Sequence, residues 1–309
     1  MFVRQLQYLV ALAEHRHFAR AAEASWVSQP ALSAGIRQLE RELGIMIILR
    51  DRRFQGFTPE GERVLAWARQ TLASLEGLRQ EAALAQVVPG GHLAIGTVPS
   101  ALRAVSMLAS EYRRAIPKLT LEVFSLSTRD ILHRLKNKDI HLGLAYADGC
   151  DAATYDAMTL YQERFVLLFN DKAGLPEQRS FTWTEAARLP LCLFNHEMQN
   201  RKIVENAFLQ ARVEPNVVVE TNTLSVLYEE VRTGEVCSVA PVSALPDYFL
   251  ASGIQIRPLE PQQISPMSLL RLHEESAPAL VNAAWDMAPR LDLQGRLDGV
   301  LEDGCSGIR

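Results

Sequence analysis

Three side chains carry the first chemical hint in the sequence. Gln29, Ser33 and Arg37 step by four residues, so on a helix they share one face, with Gln38 and Arg41 beside them. Ser, Gln and Arg are side chains that read base edges and clamp phosphates; an ordinary solvated helix face is the plainer alternative. Covalent and metal chemistry have no comparable set. No Gly-x-Ser-x-Gly, His-Glu-x-x-His or phosphate-loop pattern occurs, and His92, His133, His141 and His196 lack metal spacing. Cys150, Cys192, Cys237 and Cys305 are never close in sequence, which leaves no Cys-x-x-Cys pair and reads as isolated, reduced thiols. The expectation is no catalytic residue, no cofactor, no metal and no enzyme.

The elements around the polar face give it a context. Leu6, Leu9, Val10 and Ala13 recur at helical spacing, so residues 4–15 read as a helix, and Phe18, Ala21 and Ala22 start a second, short one. Ser28 is a good N-cap, Pro30 is tolerated in a first turn whose amides are free anyway, and Gly44 stops a third helix whose core stripe is Leu32, Ile36, Leu39 and Leu43. Two short helices, a turn of about three residues and a helix opening on Ser-Gln-Pro make a helix-turn-helix. Ile45 to Leu49, then Arg50, Arg52 and Arg53, a Gly56 turn and Phe57-Thr58 read as strand, basic loop and strand. That is a wing whose arginines reach flanking phosphates, with Thr58 and Pro59 capping the next helix.

The 309 residues suggest two or three domains, and 48% apolar with 22% charged residues is a soluble globular composition. The net charge of −4 argues against a nucleic-acid partner, but residues 1–86 hold 11 Arg, no Lys and 9 acidic residues, leaving the rest distinctly acidic. The longest apolar runs, such as Phe165 to Phe169, fall far short of the ~20 residues that span a membrane. No apolar signal core follows Arg4, so the expected location is the cytoplasm.

Residues 2–86 resemble the DNA-binding part of LysR-type transcriptional regulators. The matching residues are Leu6, Phe18, Ala21, Ala22, Ser28-Gln29-Pro30-Ala31-Leu32-Ser33, Ile36, Leu39-Glu40, Leu43-Gly44, Arg50 and Phe57-Thr58-Pro59-Glu60-Gly61. Tyr8 to Gly44 looks especially like the peroxide-sensing branch. The resemblance implies DNA contacts from Ser28, Gln29, Pro30, Ser33, Ala34, Arg37, Gln38, Arg50, Arg52, Arg53 and Thr58. Many members carry longer polar side chains where Ala34-Gly35 stands here. Gly inside a helix costs roughly 1 kcal/mol relative to Ala, and Ala34 offers only a methyl, so the base preference does not carry over.

From Pro59 to about Gln86, Leu65, Ala68, Leu72, Leu75, Leu78, Ala82 and Ala85 form a stripe on a helix roughly 40 Å long. Such a stripe needs a partner: a second copy packed as a coiled coil, or this chain's own C-terminal domain. The resemblance favours the dimer, with a tetramer open. Val87-Val88-Pro89-Gly90-Gly91 breaks the chain, and alternating strands and helices follow, which predict a parallel sheet covered on both faces. Strands are expected at 93–97, 119–124, 142–146, 164–169, 217–220, 236–240 and 267–272. Helices are expected at 101–116, 130–136, 199–210, 224–231 and 278–288.

The expected fold is thus α+β and multidomain: a winged helix-turn-helix (1–58), a linker helix (59–88) and a two-lobed α/β domain (89–309) similar to type II periplasmic binding proteins. Lobe I would hold 91–162 and 267–300, lobe II 163–266. A ligand in such a fold sits between lobes, at strand ends and helix starts. The polar segments there supply Thr97, Pro99, Ser100, Ser127, Thr128, Asn195, Thr221, Asn222 and Thr223, which suit a small, anionic effector or act as plain helix caps. Arg201 supplies charge or is merely solvated. The loop Asn195-His196-Glu197-Met198-Gln199, where peroxide-sensing relatives place a reactive cysteine, has none. The expected partners are double-stranded DNA, a small-molecule effector, a second copy of the chain and RNA polymerase, with no membrane. A constitutive DNA-binding regulator without an effector and a cytoplasmic solute-binding sensor are the alternatives.

Overall fold

The computed structural model describes residues 3–49, 54–84, 90–245, 253–274 and 277–305. They form two compact units, one of residues 1–85 (with which 137–139 group) and one of 86–136 and 140–309.

The first unit begins with three helices, α1 (Val3–His15), α2 (Phe18–Ala24) and α3 (Gln29–Leu43). Their apolar stripes meet in one core: Leu6, Leu9 and Leu12 from α1, Ala21 and Ala22 from α2, and Leu32, Ile36 and Leu39 from α3. Small Ala side chains let α2 lie close to its neighbours. Ser28 caps α3 by accepting the Ala31 amide at 3.4 Å, and Gly44 ends it at φ +69°. The expected wing strands reduce to a single antiparallel bridge, Ile48 with Phe57, flanked by the Leu49 amide on the Gly56 carbonyl. Phe54 stacks edge-on against both Phe18 and Phe57, which ties the wing to α2. The basic tip itself, Arg50, Arg52 and Arg53, lies outside the described residues.

Helix α4 (Pro59–Leu84) divides the linker stripe between two roles. Leu65 and Ala68 are buried in the first unit's core, Leu72 and Leu75 are half-buried, and Leu78 is 67% exposed. The Ala82 side chain and Ala85 lie outside the described residues.

The second unit is two-lobed. In one lobe β1 (Gly90–Thr97) lies between β2 (Lys118–Ser125) and β3 (Leu142–Tyr146), all parallel, with α5 (Leu102–Ala115) and α6 (Thr128–Lys136) as crossovers. In the other, β6 (Leu191–Phe194) lies between β7 (Val217–Thr221) and β8 (Cys237–Pro241), again parallel, with α8 (Gln199–Gln210) and α9 (Leu224–Thr233).

Two antiparallel strands make the sheet mixed rather than parallel as expected. β4 (Tyr155–Asn170) pairs through its first half with β10 (Ile264–Leu272), which pairs in turn with β3. Its second half pairs with β8 and with β9 (Ile254–Glu260), which also pairs in parallel with the two-residue β5 (Phe181–Thr182). β4 starts nine residues earlier than the apolar run 164–169 indicates, because its first half alternates half-buried and exposed side chains along β10. Three further elements carry no strong periodic signal: α7 (Trp183–Ala187), which opens with a Thr182–Glu185 capping box, β9, and α11 (Leu293–Cys305) beyond α10 (Ala279–Met287). No helix among the described residues is long and apolar enough to cross a membrane.

Candidate functional site

Helix α3 presents its polar side chains as a consequence of how it is packed. Leu32, Ile36 and Leu39 point inward, so at 100° per residue Pro30, Ala34, Arg37 and Arg41 form the outward line, with Gln38 beside them; all five are exposed. Gln29 is exposed at the helix start, whereas Ser33 is half-buried on the flank. Gln38 donates to Glu42 at 3.1 Å. Ala34, Arg37 and Arg41 line one open groove with Met46 of the wing.

Three groups that the sequence did not single out as positioning elements hold this face in place. A Cβ on Gly35 would stand 2.8 Å from the Tyr8 ring, so the glycine admits α1 against the back of α3. That close approach explains a residue that helix propensity alone reads as a cost. Glu40, 5% exposed, accepts the amides of Ile47 at 2.9 Å and Ile48 at 3.3 Å, which fixes the wing to the end of α3. Gly61 leaves α4 to start directly on the wing backbone, where a Cβ would be 2.1 Å from the Ile47 carbonyl oxygen. Thr58 serves the same junction. Its hydroxyl donates to the Met46 carbonyl at 2.6 Å and accepts the Gly61 amide at 2.9 Å, so its hydrogen is committed within the fold.

The second unit holds a narrow cleft between its lobes, whose free volume of about 10 Å³ is room for a single water-sized group, so a larger ligand enters only as the lobes part. One wall is Val98, Pro99, Ser100, Thr128 and Tyr146; the other is Phe194, Met198, Gln199 and Asn200. Pro99 and Ser100 open the short 3-10 turn that leads into α5, Thr128 begins α6, and Gln199 begins α8. The starts of α6 and α8 thus face one space beside the 99–101 turn, each bringing the partial positive charge of a helix N-terminus.

The nine expected effector residues separate. Pro99, Ser100 and Thr128 line the cleft. Thr97 is buried and donates to the Val98 carbonyl at 3.2 Å. Ser127 caps α6, exchanging hydrogen bonds with Asp130. Asn195 precedes the cleft residues of α8, and its backbone amide donates to the Thr221 carbonyl at 2.8 Å. Thr221, Asn222 and Thr223 bond among themselves and lie off the cleft. Arg201 is neither a cleft charge nor solvated: it is buried, donating to Glu205, Glu220 and the Phe194 carbonyl.

The cleft contains three atoms or groups that call for explanation. Thr128 Oγ1 and Asn200 Nδ2 are buried without a hydrogen-bond partner, as is Asn195 Oδ1 nearby. Behind the wall, Tyr146 donates to the carboxylate of Glu163, a fully buried residue of β4 that also accepts from Ser243 at 2.7 Å. Burial lifts the Glu163 carboxyl to about 7, against the opposing effect of hydrogen bonds from Tyr146, Ser243 and Ser100. Neither Tyr146 nor Glu163 was legible as a site residue, since each sits in or beside an apolar strand.

Two cysteines are placed where thiol chemistry is suppressed. Cys192 and Cys237 are buried, and burial pushes both thiols up to about 11. They occupy adjacent strands, but Cys192 packs into one hydrophobic cluster and Cys237 into the other, on opposite faces of the sheet. Among the described residues no group of His, Cys, Asp and Glu is arranged to hold a metal.

Comparison with known proteins matches both units. The family described as bacterial regulatory helix-turn-helix protein, lysR family, matches residues 3–62, and the LysR substrate binding domain matches residues 87–291. A hydrogen peroxide-inducible genes activator of Dickeya chrysanthemi is 28% identical over 265 residues, 82% of this chain and 83% of its own. The DNA-binding transcriptional dual regulator OxyR of Escherichia coli is 38% identical over 136 residues, 44% of this chain and 45% of its own. Among solved structures, a full-length OxyR variant from Pseudomonas aeruginosa covers 94% of each chain at TM-score 0.71 and 25% identity. CbnR complexed with its target DNA covers 94% of this chain and 99% of its own at TM-score 0.68 and 20% identity, a likeness of fold. The chain belongs to the LysR family of helix-turn-helix DNA-binding transcription regulators.

Proposed function

We propose that this regulator reads a promoter or operator through the outward line of α3 and adjusts transcription when a small polar effector with an anionic or carbonyl end enters the interlobe cleft. Arg37 and Arg41 supply bidentate donors for base edges or phosphates, Gln38 a second hydrogen-bonding group, and Ala34 a methyl contact. Gln29 and Ser28 stand at the helix start, where free amides meet a phosphate. Two copies joined along the exposed part of the α4 stripe would place two such helices on successive major-groove faces. A CbnR structure holds its target DNA, which supports this docking for the shared fold.

The observation that carries the effector reading is the pair of buried, unpartnered polar groups in the cleft, Thr128 Oγ1 and Asn200 Nδ2, at the starts of α6 and α8. Buried polar atoms are almost always satisfied, so an unfilled pair facing a cavity marks a place for a ligand's own oxygen atoms. Effector binding can alter DNA binding only through different affinity for two arrangements of the lobes. The relatives named for hydrogen peroxide raise a second chemistry. It is not proposed through a disulfide here, given the suppressed, oppositely facing thiols of Cys192 and Cys237.

Footprinting of the chain on DNA flanking its own gene, with and without a panel of small organic acids, tests the reading. An altered footprint with one acid, abolished by Thr128→Val, is expected. An unchanged footprint and unchanged transcription with an acid that demonstrably binds would overturn it.

A further inference from the structure

The hydroxyls behind the cleft form a directed relay. Tyr146 donates to Glu163 Oε2. The Ser100 hydroxyl lies 3.4 Å from the Tyr146 oxygen, whose own hydrogen is already committed, so Ser100 is the donor in that contact. Ser243, from the 3-10 turn Val242–Ala244, donates to Glu163 Oε1 at 2.7 Å. With Glu163 ionised, all three hydrogens point toward the carboxylate. The cleft wall at Ser100 and Tyr146 then offers only oxygen lone pairs, while the opposite wall offers the unpartnered Asn200 amide hydrogens.

We propose that Glu163 sets the hydrogen-bond polarity of this cleft, selecting an effector that presents a donor, a hydroxyl or amine, to Ser100 and an acceptor to Asn200, so that the ligand class is small hydroxy or amino acids rather than simple carboxylic acids. The proposal rests on the interlobe cleft being the effector site.

The polarity reverses with one proton. A neutral Glu163 carboxyl with its hydrogen on Oε2 donates that hydrogen to Tyr146, which frees the Tyr146 hydrogen to turn toward Ser100 and lets Ser100 donate into the cleft. The groups facing Glu163 are Tyr146 from β3, Ser100 from the 99–101 turn, Ser243 from the 242–244 turn and Tyr161 from its own strand. Arg164, next on the strand, is engaged by Asp298 of α11. Burial against hydroxyls sets the Glu163 carboxyl near 7, so the reversal falls in the neutral range.

The test uses the full chain and two probes that differ by one hydroxyl, glycolate and acetate, in ligand-observed NMR titrations at pH about 8.5 and about 6. One neutral hydrogen bond corresponds to about a fivefold change in dissociation constant. Glycolate should therefore bind about fivefold tighter than acetate at the higher pH, with the ratio falling toward one at the lower. Ser100→Ala should remove the discrimination at both pH values. Glu163→Gln should make the ratio independent of pH. Thr128→Val should weaken both probes alike. If Thr128→Val weakens both but the wild-type ratio is one at both pH values, the polarity rule fails and the cleft stands. If Thr128→Val leaves both unchanged, or neither probe binds, the cleft and the rule fail together.

Discussion

Replacing Glu163 by Gln should change the pH dependence of stability in a direction that follows from its burial. Its carboxyl ordinarily titrates at 4.5 and is lifted to about 7 in the folded chain. The folded state therefore holds this proton more tightly than the unfolded state. Stability from that proton is fully present below pH 4.5 and is lost as pH rises through the folded value near 7. At ~1.4 kcal/mol per pH unit the loss is about 3 kcal/mol, complete slightly above pH 7. The glutamine side chain of Glu163→Gln would keep the shape, accepting from Tyr146 through its oxygen and donating to Ser243 through its nitrogen, without the ionisation. Urea unfolding of the full chain, measured from pH 5 to pH 8, should show the transition of the second unit moving to lower urea with rising pH in the wild type. Relative to that trend Glu163→Gln should gain steadily, by about 3 kcal/mol across the window. Asp156, held low chiefly by its hydrogen bond from His273, loses its contribution only at more acidic pH and does not confuse the comparison. Parallel pH profiles for the two proteins would refute the assignment of a neutral-range proton to Glu163.

Other substitutions probe the scaffold of the DNA-binding unit. Gly61→Ala should destabilise it by about 2–4 kcal/mol, because the new methyl meets a backbone oxygen that cannot swing aside; a thermal transition within a degree of wild type would contradict this. Glu40→Ala should cost about 2–3 kcal/mol by leaving the Ile47 and Ile48 amides unpaired, read as a lower melting temperature and faster proteolysis in the wing. In the native chain Cys192 and Cys237 should alkylate slowly at pH 8, and peroxide should form no Cys192–Cys237 disulfide detectable by peptide mapping.

The first unit was largely legible because its signals are local. The Leu32–Ile36–Leu39 part of the stripe, the Ser28 cap and the Gly44 stop lie within one helix and the structure shows them, whereas Leu43, expected in the same stripe, is 41% exposed where the helix ends. What escaped was the reason for Gly35 and the use of Glu40, since each depends on a partner brought near only by folding: the Tyr8 ring in one case, the wing amides in the other. In the second unit the alternation of strands and helices revealed two lobes, and polar residues at helix starts pointed to Ser100 and Thr128. Ser127 and Thr221 to Thr223, offered by the same rule, stand off the cleft wall and bond within their own turns. Tyr146 and Glu163 were hidden because a single polar atom at the edge of an apolar run has no periodic signature. Only the pairing of β3, β10 and β4 brings them together across strands.

The most direct test of DNA reading by α3 is enrichment of bound sequences from a random duplex library by the full chain and by Arg37→Ala. The wild type should enrich a partly two-fold symmetric motif with half-sites about one or a few helical turns apart. Arg37→Ala should lose about 1–3 kcal/mol of discrimination at one symmetric position of that motif while keeping most non-specific affinity. No enriched motif with the wild type, or an unchanged motif and affinity after Arg37→Ala, would contradict the assignment of α3 as the reading helix.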